Sequence, residues 1–542
     1  MKNRNARASS WMAAFVVLPL LLTACGTDTA TPTVVPPAAT AVVAATAVVA
    51  ATNTTAAAPV ATDTGAVVAP TNTTGAVVAP TNTAAVVVAG GGTATAVPVT
   101  MTPVPTFVAG GEGCAPSAVK LNWYVGLGAG ADADVIPKEK AWADKFNKSQ
   151  TEACVSLQVV HNPESYDTLK AQLAAGNGPD IVGPVGKAGR ASFQGSWADV
   201  GQLAKDANFD LSKYDPALID FTKDEGVLVG IPFALFPSMM YYNKALFDEA
   251  KLPYPPHKVG EQYQGKDWNL ETFSALAQKL TVDAAGNDAT TATFDAKNIK
   301  QFGFYEQSTD SRGVATLFGG GLPYDPAKPG VAKIPANWTA AWKWYYDSVW
   351  KNHFSPNYDY LQSDLLAKGA GFKSGNIAMA DTHTWFTCCF DIQKMSWDIA
   401  VEPTINGKIT AKLHGDTFAI MKQSKNQKAA FKVLTAMVVD QDLEQIYGGL
   451  PAKIADRPAF FKAFDVRVAP NKVDWSVAEE MLKYPDLPNH ESYLPNLIKA
   501  NDLFAKFRTL MDQTPGLDMD KEIAKFEGQL SEVFAAAPTP TK

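Results

Sequence analysis

The clearest hydrophobic patterning begins beyond residue 113. Val119-Lys-Leu-Asn-Trp-Tyr-Val125 alternates in the manner of a strand, and Ile136, Trp142 and Phe146 recur at helical spacing as far as about Lys148. Val155–Val160 reads as a second strand. Tyr166, Leu169 and Leu173 then mark one face of a helix that Gly176 stops, and Asp180-Ile181-Val182 gives a third short strand. Strands alternating with helices predict a parallel, doubly wound sheet in which ligands bind at the carboxyl ends of the strands. The Gly126–Asp134 loop and the Gly183–Gly186 turn are therefore expected to face the functional edge.

The pattern continues down the chain. Gly226-Val-Leu-Val-Gly-Ile-Pro232 leads to Tyr241-Tyr-Asn-Lys-Ala-Leu-Phe-Asp-Glu-Ala250, followed by the proline-rich Leu252–Pro256. Trp268-Asn269 opens a helix with Asn269 as its cap and Phe273, Leu276 and Leu280 as its buried stripe. Phe372–Met379 precedes Trp385. Gly415–Ile420 leads to Ser424-Lys-Asn-Gln427, which has the spacing of a capping box, and to a helix around Phe431, Leu434 and Val438.

Residues 1–112 follow other rules. Lys2, Arg4 and Arg7 precede an apolar run from Trp11 to Leu22 that is too short to span a bilayer and reads as a secretion signal. Its end, Leu22-Thr-Ala-Cys25, resembles the bacterial lipobox, which implies cleavage after residue 24 and a lipid-modified Cys25. Residues 25–112 are almost wholly Ala, Thr, Val, Pro, Gly and Asn, and the ten-residue unit beginning at Thr64 recurs unchanged at Thr74. With no aromatic residue before Phe107, this stretch buries too little to offset the entropy of ordering it, and it is expected to be a disordered linker. The expected localisation is extracytoplasmic, with the protein lipid-anchored to the cell membrane on its periplasmic or cell-surface side.

The 542 residues carry 47 Lys and Arg against 54 Asp and Glu, a net charge of −7, which excludes a generally basic nucleic-acid binder. Gly128-Ala-Gly-Ala-Asp-Ala133 matches a permissive dinucleotide fingerprint, but the next strand ends in His161-Asn162 where that motif needs an acid. The glycines are read instead as backbone making a turn or approaching a ligand. The sequence lacks His-Glu-x-x-His, Gly-x-Ser-x-Gly and a phosphate loop, and its six histidines are scattered singly. No metal, cofactor or catalytic residue is expected.

Taken in order, the series from the first strand to the helix at Phe431 resembles the extracellular sugar-binding proteins of ATP-driven importers, the family that includes maltose-binding protein. The resemblance covers nearly all of residues 115–530. It implies an α/β fold of two lobes that close on a ligand, with lobe 1 from 113–236 plus 376–418, lobe 2 from 237–375 plus 419–535, and a tail at 536–542. It also implies a monomer that takes a small-molecule ligand, a mono- or oligosaccharide, and delivers it to the membrane subunits of an importer. The alternatives are a surface glycan-active hydrolase, for which paired acids such as Asp132 and Asp134 would have to stand at the right separation, a binding protein for a non-sugar solute, and a passive adhesin.

Sugar rings present an apolar C–H face and a hydroxyl edge, so a site for them pairs aromatic platforms with planar polar groups. The candidate platforms are Trp123, Tyr124, Phe236, Trp385 and Phe386, and the candidate polar partners are Asp132, Asp134, Asp381 and Asp416. Cys114 and Cys154 fall at the same end of neighbouring strands and are expected to be bridged. Cys388 and Cys389 are left as a strained vicinal disulfide, as two free thiols, or as a metal site with His383 and Asp381.

Overall fold

The computed structural model describes residues 107–110, 113–133, 135–214, 216–307, 310–388 and 390–537. The signal, Cys25, the linker up to residue 106, Asp134, Cys389 and residues 538–542 lie outside them, as does the side chain of Cys388. Among the described residues no helix is long and apolar enough to cross a membrane.

Two sheets organise the chain into two lobes. The larger has seven strands in the order Phe107–Gly110, Ala153–Val159, Val119–Val125, Ile181–Val185, Leu413–Ile420, Gly230–Pro237 and Leu450–Pro451. Val119–Val125 pairs in parallel with both Ala153–Val159 and Ile181–Val185, as the βαβ pattern predicts. The sheet is nevertheless mixed rather than wholly parallel, because Leu413–Ile420 runs antiparallel to both of its neighbours. The five-stranded sheet has the order Val282–Asp283, Ile299–Glu306, Ile377–Thr382, Met239–Asn243 and Trp397–Ala400.

Local chemistry explains the elements. The helix Ile136–Ser149 turns Trp142 and Ala143 inward, and its buried Asn147 exchanges two hydrogen bonds with the backbone of Val155, tying helix to strand. Asn269 caps Leu270–Lys279 by accepting from the Thr272 N–H, and Asn243 caps Lys244–Ala250 through Ala245. The expected capping box at Ser424 does not form. The helix starts only at Gln427, and the Ser424 hydroxyl instead donates to Asp180 and accepts from the Asn426 N–H. Cys114 and Cys154 are disulfide-bonded.

The chain crosses between the sheets at Ser238, where Gly230–Pro237 of the larger runs straight into Met239–Asn243 of the smaller. The return to the larger sheet comes at Leu413 and not at 376 as expected. Ile377–Thr382 and Trp397–Ala400 both pair with Met239–Asn243 in the smaller sheet, while Leu450–Pro451 adds to the larger one. The reason is pairing: every residue of Ile377–Thr382 is buried and needs a strand on each side, which Ile299–Glu306 and Met239–Asn243 provide. A separate helical core, with Trp338, Trp342, Phe504, Phe507 and Phe526 at its centre, joins Ala336–Trp350, Leu497–Gln513 and Met519–Ala535.

Candidate functional site

A cavity of about 840 Å3 is lined by residues that follow strands of both sheets. Its floor on the side of the larger sheet is the loop from Leu127 to Ala133, which leaves the carboxyl end of Val119–Val125. This loop needs glycine for space. A Cβ on Gly128 would stand 2.7 Å from the Pro184 carbonyl oxygen and 3.0 Å from Asp416 Oδ2, and one on Gly130, at φ +110°, would stand 2.5 Å from Glu139 Oε1. Asp416 accepts a hydrogen bond from the Ala129 N–H at 3.1 Å. Burial pushes the Asp416 carboxyl up to about 6 against that hydrogen bond, and Glu491 adds to the rise.

The aromatic wall comes from several elements. Phe236 ends its strand, Trp385 sits in the short turn Thr384–Cys388 after Ile377–Thr382, and Tyr166 and Tyr447 come from helices. Trp385 is stacked on His383 with ring centroids 4.0 Å apart, and meets Phe236 and His414 edge to face. The polar lining includes Asp132, Asp416, Glu491, Arg467 and Arg312, whose guanidinium forms a forked pair with Asp310. Asn501 also lines the cavity, and its buried Oδ1 has no hydrogen-bond partner among the described residues.

Of the candidate site residues, Asp132, Phe236, Trp385 and Asp416 meet in one cavity. Asp134 lies outside the described residues, and Trp123, Tyr124, Phe386 and Asp381 do not join them. Trp123 is core: its Nε1 donates to the Gly183 carbonyl and its ring packs on Trp142 and Phe418. Tyr124 faces the opposite side of the sheet, where its hydroxyl donates to the Ser165 carbonyl. Both precede the strand's end, and the cavity begins only at Leu127. Phe386 turns away from Trp385 into a cluster with Phe372 and Phe390. Asp381 is fully buried in an ion pair with Lys412.

Sequence reasoning passed over Tyr166, Arg312, His414, Tyr447 and Glu491. Glu491 and His414 sit 3.2 Å apart, and burial of the Glu491 carboxyl is outweighed by His414, His490 and Arg312, which hold it well below the usual carboxylate range. The signal that was available was the pairing of a histidine with an acid in the short run Asn489-His-Glu491.

Residues 141–453 match the model of a family described as bacterial extracellular solute-binding protein. Solved structures give likenesses across about three quarters of the chain. An ABC substrate-binding protein from Listeria monocytogenes in complex with cycloalternan is 21% identical, with a TM-score of 0.58 over 77% of this chain and 98% of that one. UspC of M. tuberculosis is 17% identical, with a TM-score of 0.59 over 77% and 100%. The Thermus thermophilus maltotriose binding protein bound with maltotriose is 18% identical, with a TM-score of 0.52 over 76% and 99%. At these identities the likeness is one of fold, and it is the two-lobed fold seen here.

Proposed function

This chain belongs to the bacterial extracellular solute-binding proteins, and we propose that within them it captures a carbohydrate between its lobes and hands it to an ATP-driven importer. The observation that carries the sugar reading is the composition of the cavity. Rings at Trp385, Phe236, Tyr166 and Tyr447 offer apolar faces and edges, while Asp132, Asp416, Arg312 and Asn501 offer hydrogen-bonding groups to hydroxyls. The named ligands of two structural relatives, cycloalternan and maltotriose, are carbohydrates, which supports the same reading. Contributions from both lobes mean that a ligand favours the closed arrangement by its differential affinity for it, and that arrangement is what membrane subunits would recognise.

The chain acts by binding without turnover, as a monomer. It is tethered outside the cytoplasmic membrane through a lipid on Cys25, with residues 25–112 as the spacer and lobes bounded by the chain crossings at Ser238 and near Leu413. A thermal-shift screen of the full chain against mono- and oligosaccharides tests the ligand class, since only ligands of the native state raise its melting temperature. Stabilisation by sugars, with the ligand recovered unchanged on chromatography, is the expected result. Stabilisation only by amino acids, peptides or polyamines would replace the sugar reading, and hydrolysed ligand would favour a glycan-active enzyme.

A further inference from the structure

Histidines scattered singly in the sequence converge in the fold. His414 stands at the start of strand Leu413–Ile420, and His490 follows the loop that packs on that strand through Asp486. Their Nε2 atoms face each other at 3.2 Å. Each ring has a carboxylate at its other nitrogen: Asp486 Oδ2 lies 2.7 Å from His490 Nδ1, and Glu491 Oε1 lies 3.2 Å from His414 Nδ1.

An ionised carboxylate only accepts, so both Nδ1 atoms carry a proton, and because two Nε2–H groups cannot face each other at this distance, at most one further proton lies between lone pairs of the two Nε2 atoms. Asp486 is held firmly in this role. It also accepts from the backbone N–H groups of Leu413 and His490 and from the Asn489 amide. Two lone pairs aimed at one another at this distance require a cation between or beside them. A single shared proton would serve, and so would a metal ion.

We propose that His414 and His490 form a binding site for a divalent transition ion of the zinc class at the wall of the cavity. Tetrahedral zinc with Zn–N bonds of about 2.0–2.1 Å places two imidazole nitrogens about 3.3 Å apart, close to the spacing found here. The Asp486 and Glu491 carboxylates behind the rings are the outer partners that orient metal-bound histidines and raise their basicity. One ligand atom each from His414, His490 and Glu491 lies within 4.8 Å of the others, so Glu491 can supply a third ligand by turning. Arg312, the nearby cation, is neutralised by its forked pair with Asp310. His414 and Glu491 both line the cavity, so the remaining coordination positions open toward a bound solute or water.

The test needs no sugar, and its outcome is independent of whether a sugar binds. Untagged full-length chain, stripped with a chelator, is titrated with Zn2+ alone in competition with a chromogenic chelator. One equivalent should bind, and Co2+ should give a visible d–d absorption. H414Q and H490Q should each weaken binding by at least about 100-fold, and D486N by about 10–100-fold, while the melting temperature of metal-free H414Q stays near that of the parent. The double variant C388S/C389S should bind as the parent does. Absence of a tight equivalent, binding that survives both histidine variants, or binding abolished by C388S/C389S would overturn the proposal and leave the pair holding only a proton.

Discussion

The Lys412 ammonium lies 2.7 Å from the Asp381 carboxylate, joining the residue that begins the return to the larger sheet to a central strand of the smaller one. Lys412 also reaches Glu306 at 2.6 Å, and Arg508 holds the second oxygen of Glu306 at 2.7 Å. All four side chains are almost fully removed from water. Burial lowers the affinity of Lys412 for its proton, but Asp381 and Glu306 more than reverse this and hold it well above the ordinary lysine range. The cluster, which Asp512 extends by pairing with Arg508 at 3.0 Å, is thus a clamp of buried ion pairs at a crossing between lobes, and it explains why Asp381, an attractive candidate for ligand contact, is unavailable to ligand.

Removing the lysine should therefore be costly. Lys412→Met leaves Asp381, with Glu402 beside it, buried without a compensating charge, and breaking such a pair costs about 3–5 kcal/mol. Urea unfolding of K412M should show that loss. A loss under about 1 kcal/mol would mean that water or rearrangement already compensates these acids.

The second prediction concerns pH. Glu139, fully buried beside the glycine loop, is pushed up to about 8 mainly by burial, against the hydrogen bond its Oε1 accepts from the Tyr447 hydroxyl at 2.8 Å, with Asp132 adding to the rise. The folded chain keeps a proton that the unfolded chain releases near 4.5. The resulting stability is complete below about pH 4.5, declines as pH rises toward 8 and is lost beyond it. Glu444, raised to about 8 by burial, acts with the same sign, so the readout is a difference. The melting temperature of E139Q should fall less between pH 5 and 8 than that of the parent, and parallel curves would show that Glu139 is ionised throughout.

Much of the first lobe was legible because its strands and helices are short, periodic and consecutive. Val119–Val125 was read to the residue, and the second and third strands were found with ends shifted by one to three positions. The cavity loop was legible from its glycines. The crossing near Leu413 was not, because the buried strand Ile377–Thr382 is apolar on both faces apart from Asp381 and Thr382 at its end, and such a run carries no mark of the sheet it joins. Trp123 and Asp381 were misplaced for a related reason. An aromatic or an acid near a strand's end looks the same in sequence whether it points into a cleft or into a core, and one residue of register decides which.

Membrane attachment gives a third prediction. It rests on the single short apolar run of residues 11–22 and on the Leu22-Thr-Ala-Cys25 motif. Cys25→Ser should shift the protein from the membrane to the soluble fraction of expressing cells or leave it unprocessed at a higher mass. If C25S stays in the membrane fraction at the parent's mature size, the thiol is not the attachment point.

The last prediction separates a ring that contacts ligand from one that fills core. Trp385 is half-buried, with one face covered by His383 and edges set against His414 and Phe236, so the opposite face is the one offered to the cavity. Stacking a sugar on that face removes apolar surface worth on the order of 1–3 kcal/mol. Trp342 is the control: it is fully buried in the helical core, its Nε1 donating to the Ser311 carbonyl and its ring meeting Phe507 and Phe526. Trp385→Ala should weaken affinity for the best ligand of the screen by at least about tenfold, equivalent to about 1.4 kcal/mol, with a small change in ligand-free stability. Trp342→Phe should do the reverse, lowering ligand-free stability because it strands the Ser311 carbonyl and opens a cavity, with affinity unchanged. Calorimetric titration and denaturant unfolding of both variants decide the matter. If W385A loses stability as W342F does and binds ligand as the parent does, Trp385 belongs to the core and the sugar platform must be sought at Tyr166 or Tyr447.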